Sequence, residues 1–342
     1  MKNQILITGG TGYIGSHTAV ELINEGYDVL IVDNLYNSSA EVIDGIEKIT
    51  GIRPELEVFD LCDFELTGKF FSKHNISAVI HFAAYKAVGE SVRKPLDYYR
   101  NNLVSLINIL DSMKSRGVEN FVFSSSCTVY GQPEKLPVTE QSPILPAASP
   151  YGNTKQIGEE IIRDTTLSSG TINAIALRYF NPIGAHPSGL IGELPSGIPE
   201  NLIPYITQTA IGLREELKVF GNDYNTPDGS CIRDYLHVSD LAKAHVVAVK
   251  RLLGKKNKEV YEVFNLGTGK GVSVLEAIHS FEKVTGIKVK YRITDRRKGD
   301  IEQIWADPSH ANRELNWKTD YSLDECMKTA WNWQNQLQKS NK

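Results

Sequence analysis

Two side chains in the middle of the chain have the types and spacing of an acid–base pair. Tyr151 and Lys155 are four residues apart, and Ser149-Pro150 before them is typical of a helix start, with serine as N-cap and proline at the first helical position. Both side chains are therefore predicted to lie on one helix face. At about 5 Å and an effective dielectric constant near 20, the lysine charge favours the phenolate by about 3 kcal/mol, or about two pKa units. This spacing predicts that Tyr151 acts as a base near neutral pH, and a solvated helix face is the alternative.

A glycine-rich turn near the N-terminus has the pattern of a nucleotide site. Gly10-Thr11-Gly12-Tyr13-Ile14-Gly15 follows a short apolar run and opens a helical pattern. Glycines in this pattern permit a tight turn and the close approach of a pyrophosphate, which the helix N-terminus attracts. Asp33 lies 18 residues after Gly15, where a carboxylate accepts a hydrogen bond from a ribose hydroxyl and repels a 2′-phosphate. The pattern predicts NAD(H) rather than NADP(H), and a plain tight turn with a capped strand is the alternative.

Three consecutive serines, Ser124 to Ser126, end another apolar run. Open α/β sheets bind their ligands at the carboxyl ends of the strands. We therefore expect these hydroxyls near the ligand, whereas a polar strand end without a function is the alternative.

The elements that must position these residues follow from the apolar pattern. Through about residue 180, short β-branched runs alternate with amphipathic segments, which indicates a parallel sheet covered on both faces. Right-handed crossovers then predict an α/β fold with a Rossmann-type doubly wound sheet. The predicted strands are Gln4 to Thr8, Asp28 to Asp33, Leu56 to Asp60, Ala78 to His81, Asn120 to Ser124 and Asn173 to Arg178. The predicted helices are 13–26, 64–73, 96–116, 150–168, 238–253, 273–285 and 322–338.

The chain length of 342 residues predicts two domains or one large domain. We expect an NAD-binding domain over residues 1–180, to which later segments return. Proline and glycine cluster after residue 180, so a smaller mixed α/β substrate domain is expected over residues 181–342.

Composition excludes several classes of partner. The net charge of -4 provides no basic field, so we expect no nucleic-acid partner. No stretch approaches the roughly 18 apolar residues of a membrane helix, so we expect no membrane partner and a cytoplasmic location. The four cysteines form no C-x-x-C pair, which is typical of a reducing compartment. His81 and His237 lack neighbouring ligand spacing, so we interpret them as structural and expect no metal.

Longer stretches of the sequence resemble the extended short-chain dehydrogenase/reductase family, and within it the nucleotide-sugar 4-epimerases. The resemblance runs along nearly the whole chain. It is carried by Thr8 to His17, His81 to Ser91, Ser124 to Gly131, Tyr151 to Lys155, Arg178 to Pro182, Gly221 to Tyr224 and Arg233 to Tyr235.

The resemblance implies reversible epimerisation of UDP-glucose and UDP-galactose at C4 through a 4-keto sugar, with tightly bound NAD as a transient hydride acceptor. It implies that Tyr151 takes the proton of the C4 hydroxyl, that Ser126 hydrogen-bonds this hydroxyl, and that Lys155 keeps Tyr151 ionised and holds the nicotinamide ribose. It also implies a homodimer formed through segments 96–116 and 150–168.

The same resemblance implies the residues that line the two ligand sites. The cofactor contacts would be Gly9, Gly12, Tyr13, Ile14 and Gly15 at the pyrophosphate, Asp33, Asn34, Asn37 and Ser38 at the adenosine ribose, Asp60 and Leu61 at the adenine, and Phe82, Ala83, Lys86, Asn101 and Tyr179 in the rest of the pocket. The nucleotide-sugar contacts would be Asn181, Asn201, Leu202, the diphosphate arginines Arg233 and Arg297, and Asp300 at the uridine ribose. The alternatives are that Asn37 and Ser38 are plain turn residues, that Asp60 only ends a strand, and that Arg297 lies in a solvated basic turn.

Several positions depart from the family pattern. Ala84 and Tyr85 replace a Gly-Leu pair, and Cys127 follows the serines where alanine is common. Ile304 is intermediate in size at a position associated with the acceptance of N-acetylated sugars, so a broader UDP-GlcNAc/UDP-GalNAc epimerase remains an alternative.

Two further functions compete with the epimerase interpretation. Related dehydratases use an Asp-Glu pair where this chain has Cys127 and Thr128, which disfavours a dehydratase. A non-catalytic nucleotide sensor would have no need of Tyr151 and Lys155 beside the nicotinamide.

Overall fold

The computed structural model describes residues 2–195, 197–297 and 300–340. Its main sheet has seven parallel strands, so the predicted Rossmann-type doubly wound fold is confirmed. From one edge to the other the strands are β11 (Tyr261–Leu266), β6 (Asn173–Tyr179), β5 (Asn120–Ser126), β4 (Ile76–His81), β1 (Gln4–Thr8), β2 (Asp28–Asp33) and β3 (Glu55–Val58). The strand order reverses between β1 and β4, which opens a crevice at the carboxyl ends of these two strands.

Helices cover both faces of this sheet, and each of the seven predicted helices is present. In the described ranges the helices are α1 (Tyr13–Asn24), α2 (Val42–Thr50), α3 (Phe64–Lys73), α4 (Val88–Arg93), α5 (Pro95–Arg116), α6 (Pro150–Ser169), α7 (Leu202–Ala210), α8 (Val238–Leu253), α9 (Val274–Thr285), α10 (Ser309–Leu315) and α11 (Leu323–Ser340).

The alternation of side chains along β1 shows why the sheet is covered twice. Ile5 and Ile7 pack into a cluster formed with α1, α2 and α8, whereas Leu6 packs into a second cluster with α3, α5 and α6. All three side chains are fully buried. Each contributes about 1.5–3 kcal/mol relative to an exposed position, so a continuous apolar strand is stable only between two helical layers.

Smaller sheets follow residue 180. β7 (Asn181–Ile183) pairs with β10 (Tyr235–His237), β8 (Leu217–Phe220) pairs with β13 (Tyr291–Thr294), and β9 (Ile232–Arg233) lies between β12 (Val272–Ser273) and β14 (Gln303–Ile304). A third apolar cluster joins β8 to α7, α9 and α11. β11 lies in the main sheet and α8 packs against α1, so residues 238–266 join the first half. The division at residue 180 stays a prediction.

The third strand differs from its prediction. It covers Glu55–Val58 rather than Leu56 to Asp60, and the Asp60 carboxylate accepts a hydrogen bond from the Cys62 backbone N–H at 2.9 Å. A side chain bonded to the backbone two residues ahead forms a turn, which ends the strand before Asp60.

Candidate active site

The glycine-rich turn has the predicted strand–turn–helix geometry. Gly9 has φ +68°, and a Cβ atom there would lie 2.7 Å from the Ala83 backbone N after β4. A Cβ atom on Gly15 would lie 2.8 Å from the Gly10 Cα. The N-terminus of α1 begins after Gly12 without a side-chain cap. Its first N–H groups are therefore free to bind an anion, and the turn lets a pyrophosphate approach the backbone.

The carboxylate of Asp33 is tied to this turn. It is 7% exposed and accepts hydrogen bonds from the Thr11 N–H at 3.2 Å, the Leu35 N–H at 2.9 Å and the Ser38 hydroxyl at 3.1 Å. The Ser38 hydroxyl also bonds Thr11 Oγ1 at 2.7 Å. The end of β2 thus presents an oriented acceptor beside the α1 N-terminus, which is the arrangement that a dinucleotide ribose requires.

The other predicted cofactor residues lie around the same crevice. Asn34 accepts a hydrogen bond from the Tyr36 N–H, and Asn37 is exposed in the same loop. Leu61 is buried and its carbonyl accepts the Asn108 amide at 2.9 Å. These contacts fix the loops after β2 and β3, which carry the residues predicted to bind the adenosine.

The loop after β4 and the end of β6 form the opposite wall. The Phe82 N–H bonds the Thr8 carbonyl at 3.0 Å, which places Phe82 and Ala83 next to the glycine turn. Asn101 on α5 donates to Asn102 at 2.9 Å, and the Tyr179 hydroxyl bonds Ser124 Oγ at 2.6 Å. These contacts place Phe82 and Ala83 beside the glycine turn, and Tyr179 beside the serines that end β5.

Tyr13 contributes to the turn through its backbone, because its side chain is engaged elsewhere. Its hydroxyl donates to the Gly184 carbonyl at 2.7 Å. Ile14 follows it in the first turn of α1 and packs partly against the core. Tyr13 therefore joins the cofactor-side helix to the beginning of the second half of the chain.

Ser126, Tyr151 and Lys155 come together where β5 ends and α6 begins. The Ser149 hydroxyl accepts the Gly152 N–H at 3.2 Å, which caps α6 as predicted. The Ser126 hydroxyl lies near the Tyr151 phenol and favours its ionised form, so it lowers the Tyr151 pKa. Lys155 Nζ donates to the Ser124 carbonyl at 2.6 Å and lies 6.0 Å from the centroid of the Tyr151 ring. The three candidate catalytic side chains therefore form one buried cluster at the carboxyl edge of the sheet.

The electrostatics of this cluster correct one prediction. Burial raises the pKa of Tyr151 above its ordinary value, although the neighbouring Ser126 hydroxyl acts in the opposite direction. Burial also lowers the pKa of Lys155 to about 8, while the Glu159 carboxylate raises it. The prediction that Lys155 brings the Tyr151 pKa near neutrality is wrong for the protein alone, because the loss of hydration outweighs the charge interaction. With a pKa of about 8, Lys155 favours its ammonium form at neutral pH, and burial favours the phenol form of Tyr151.

The predicted nucleotide-sugar residues are less tightly grouped. Arg233 on β9 is half-buried, and its charge acts on the Cys127 thiol beside Ser126. Asn181 lies on β7, where its N–H bonds the Asp234 carbonyl at 2.9 Å. Arg297 is 55% exposed and pairs with Asp300 at 2.6 Å. Arg233 therefore lies close enough to act on the residue after Ser126, whereas the exposed Arg297 is held by the largely buried carboxylate of Asp300.

One acidic residue that the sequence did not single out connects the two ligand sites. Glu193 Oε1 accepts hydrogen bonds from Lys86 Nζ at 3.1 Å and from Asn201 Nδ2 at 2.6 Å. Asn201 is the N-cap of α7, and Leu202 is the first residue of that helix. Glu193 lies in an irregular loop, so no periodic pattern points to it.

The sequence analysis also did not single out Glu159 and Arg178, which form a buried ion pair next to the catalytic cluster. Glu159 follows Lys155 by four residues and Tyr151 by eight, so helical spacing was a usable signal.

The two histidines considered as metal ligands are hydrogen-bonded within the fold. His81 Nδ1 lies 2.7 Å from Thr8 Oγ1, and His237 Nδ1 accepts the Ser239 N–H at 3.1 Å. Among the described residues, the group close enough together to hold an ion is Glu55, Glu57 and His74, at the edge strand β3.

Comparisons with known proteins agree with this geometry. The family model described as GDP-mannose 4,6 dehydratase matches residues 6–330. A UDP-glucose 4-epimerase of Bacillus subtilis (strain 168) is 52% identical over 330 residues, which cover 96% of each chain. The chain belongs to the UDP-glucose 4-epimerase family. The UDP-glucose 4-epimerase of Homo sapiens is 48% identical over 342 residues, covering 98% of this chain and 97% of the human one.

Solved structures of UDP-glucose 4-epimerases have the same fold. The enzyme from Bifidobacterium longum in complex with NAD+ and UDP superposes with a TM-score of 0.94 at 47% identity, covering 98% of each chain. The enzyme from Stenotrophomonas maltophila with bound NAD and formylated UDP-arabinopyranose gives a TM-score of 0.95 at 46% identity, covering 99% of this chain and 100% of that one. The resemblance to extended short-chain dehydrogenases/reductases is confirmed.

A helix that crosses a bilayer needs about 20 mostly apolar residues. None of the helices in the described ranges is both long and apolar enough for a membrane crossing.

Proposed function

We propose that this protein interconverts UDP-glucose and UDP-galactose at C4 of the sugar, with NAD held in the crevice throughout. The observation that carries this proposal is the buried cluster of Ser126, Tyr151 and Lys155 beside a dinucleotide crevice. It occurs in a chain about half identical to UDP-glucose 4-epimerases over almost its full length.

The residues present fit NAD. The free α1 N-terminus after Gly12 suits a pyrophosphate, and the Asp33 carboxylate suits an adenosine ribose with free hydroxyls. The nicotinamide would supply a reversible hydride acceptor next to the sugar C4. Lys155 lies deep enough in the same crevice to hold the adjoining ribose by its remaining N–H groups.

Tyr151 is the group that holds and returns the proton. Its phenolate oxygen would take the proton of the C4 hydroxyl as the hydride leaves C4, and the phenol so formed would return this proton after the 4-keto sugar has presented its other face and regained the hydride. Burial opposes the phenolate that this requires. The ammonium of Lys155 and the hydroxyl of Ser126 offset this cost, since both stabilise negative charge on the Tyr151 oxygen.

The exclusion of bulk water from the buried cluster favours this proton transfer. Tyr151, Lys155 and Ser126 are all buried, so charge interactions between them are stronger than in water. The residues after Ser126 are Cys127 and Thr128. Neither carries a carboxylate for elimination of a sugar hydroxyl, which favours epimerisation over the chemistry named by the dehydratase family model.

Arg233 and Arg297 are the proposed ligands of the diphosphate, because guanidinium donates two hydrogen bonds to such an anion. Arg297 already donates to Asp300 through Nε and Nη2. An exposed pair of this kind contributes little to stability. We therefore expect Arg297 to exchange this carboxylate for a phosphate when the substrate binds, which frees Asp300 for a ribose hydroxyl.

Proton NMR of the sugar anomeric signals tests the function. Purified protein with UDP-galactose should produce UDP-glucose without added cofactor and without a net change in nicotinamide absorbance. An unchanged spectrum would reject the assignment. A parallel sample with UDP-N-acetylgalactosamine tests the broader specificity that Ile304 leaves open.

We further propose a cytoplasmic homodimer. α5 and α6 pack side by side and leave large apolar side chains exposed, among them Leu96 at 71% and Leu167 at 67%. An exposed apolar surface of this kind supports a contact between two copies of the chain. Sedimentation at micromolar concentration should give twice the chain mass, and a monomer would contradict it.

All four cysteines are free thiols, which supports the proposed cytoplasmic location because the cytoplasm is a reducing compartment. Recovery of the protein in a membrane or periplasmic fraction would contradict this location.

A further inference from the structure

Three consecutive serines on β5 lie beside three residues on α6. The Ser124 carbonyl accepts Lys155 Nζ at 2.6 Å, the Ser125 hydroxyl donates to Glu159 Oε1 at 2.5 Å, and the Ser126 hydroxyl lies near the Tyr151 phenol.

These three helix residues are spaced by four, so they lie along one face of α6. The first two are the candidate catalytic pair. The third has no role in the chemistry described above, yet it is bonded to the same strand.

Glu159 is held from a second strand by Arg178. Arg178 Nε lies 2.9 Å from Glu159 Oε1 and Nη2 lies 2.5 Å from Oε2, and the two side chains are 8% and 9% exposed. Arg178 on β6 pairs with Ser125 on β5 in the sheet register. Arg178 Nη1 also donates to the Tyr130 hydroxyl at 3.0 Å. The carboxylate is therefore fixed between α6, β5 and β6.

A buried ion pair is costly to desolvate, and well-packed apolar residues often stabilise a fold equally well. The presence of this pair next to the catalytic cluster therefore calls for a reason other than stability. Burial of Lys155 disfavours its ammonium form, and a fixed negative charge one helical turn away opposes that effect.

We propose that Glu159, oriented by Arg178, is a positioning residue for the catalytic pair: it holds α6 in register with Ser124 to Ser126 and supplies the negative charge that keeps Lys155 protonated. The proposal rests on the proposed function of Tyr151 and Lys155.

The charges around Lys155 determine the sign of the expected pH effect. The Lys155 pKa is about 8, lowered by burial and raised by Glu159. The titratable and charged groups that face Lys155, Tyr151 or Glu159 are His81 from β4, Arg178 and Tyr179 from β6, Tyr261 from β11, Tyr98 from α5 and Cys127 from the turn after β5. His81 is buried with a pKa lowered to about 3, so it is neutral at physiological pH.

Glu159 thus provides the negative charge that acts on Lys155. Without it the ammonium form should be lost at lower pH, and activity that needs this form should fall earlier as pH rises.

The chain offers a matched control for a test. Arg251 and Glu262 form a second buried pair, with Nε–Oε2 at 2.7 Å and Nη2–Oε1 at 2.8 Å and with both side chains 9% exposed. This pair joins α8 to the amino-terminal end of β11, on the other face of the sheet. Glu159→Gln and Glu262→Gln therefore remove the same charge from similar surroundings, but only the first lies beside Lys155.

The experiment measures kcat and KM for UDP-galactose across pH, together with thermal unfolding of each variant. Glu159→Gln should move the alkaline limb of kcat to lower pH by about one unit, with KM changed less than kcat. Glu262→Gln should lower the unfolding temperature comparably and leave the pH profile as in the wild type. An unshifted profile in folded Glu159→Gln, or the same shift in both variants, would overturn the proposal.

A further measurement and a further variant distinguish failure of this proposal from failure of the proposed function and from failure of the variant to fold. An NMR pH titration of the Lys155 side chain, assigned with Lys155→Arg, should give a lower pKa in Glu159→Gln than in the wild type whatever reaction the protein catalyses. Absence of wild-type epimerisation would reject the proposed function alone. If Glu159→Gln does not fold, Ser125→Ala keeps both charges of the ion pair and removes only the link to β5; it should lower kcat severalfold, and unchanged kcat would overturn the positioning role.

Discussion

The cofactor side and the sugar-nucleotide side of the site are built in different ways. On the cofactor side, Asp33 is 7% exposed and is fixed by three hydrogen bonds from neighbouring strand ends and loops. On the proposed sugar-nucleotide side, Arg297 is 55% exposed, and within the described residues its side chain donates hydrogen bonds to Asp300. A parallel sheet brings the ends of distant segments together before any ligand arrives, whereas a loop must be ordered by the ligand that it binds. We infer that the first site is preorganised and that the second is completed by its substrate.

Loss of the proton-transferring group should have the largest effect. Tyr151→Phe should lower kcat by at least about 10²-fold, because the base is lost while the ring still fills its buried position. Initial rates from the anomeric NMR signals measure this, and thermal unfolding should remain close to that of the wild type. Tyr27→Phe, near the amino-terminal end of the sheet, is the control and should be nearly as active as the wild type. Near-normal turnover of Tyr151→Phe would remove this tyrosine from the mechanism.

A smaller effect is expected on the substrate side. Arg297→Ala should raise KM for UDP-galactose about tenfold and change kcat little, since a charge-assisted hydrogen bond to the diphosphate is lost while the catalytic cluster is untouched. Steady-state kinetics over a range of substrate concentrations separate the two constants. The neighbouring Arg296 pairs with Asp223 at 2.7 Å, and Arg296→Ala is the control, with a smaller rise in KM. Equal effects of the two variants would contradict a specific role for Arg297.

The sequence was sufficient to predict six of the seven strands of the main sheet and the elements that carry the catalytic cluster, because these depend on local patterns; the edge strand β11 was not predicted. Continuous apolar strands, the Ser149-Pro150 helix start and the glycine turn all act over a few residues. α2 was not predicted. Its segment contains Gly45 and several β-branched residues, which are unfavourable in a helix. A Cβ atom on Gly45 would lie 2.8 Å from the Leu190 carbonyl, so a distant loop explains this glycine.

The charge states of the site residues could not be predicted from the sequence either. The spacing of Tyr151 and Lys155 predicts an attraction between them but does not reveal how much hydration each group loses on burial. The contacts of Glu159 on α6 could not be predicted either, because its partners Ser125 and Arg178 lie on two different strands of the sheet. Contacts of this kind become visible only when the sheet is assembled.

The parallel sheet also gives the molecule a direction along its strands. At the amino ends, Gln4 and Asp28 bond each other on an open surface, where many replacements would be tolerated. At the carboxyl ends, Thr8, His81 and Ser126 are buried, and Thr8 on β1 bonds His81 on β4. Sequence variation among proteins that descend from this chain should therefore accumulate at the amino ends of the strands, while the carboxyl ends are constrained by the ligands that they bind.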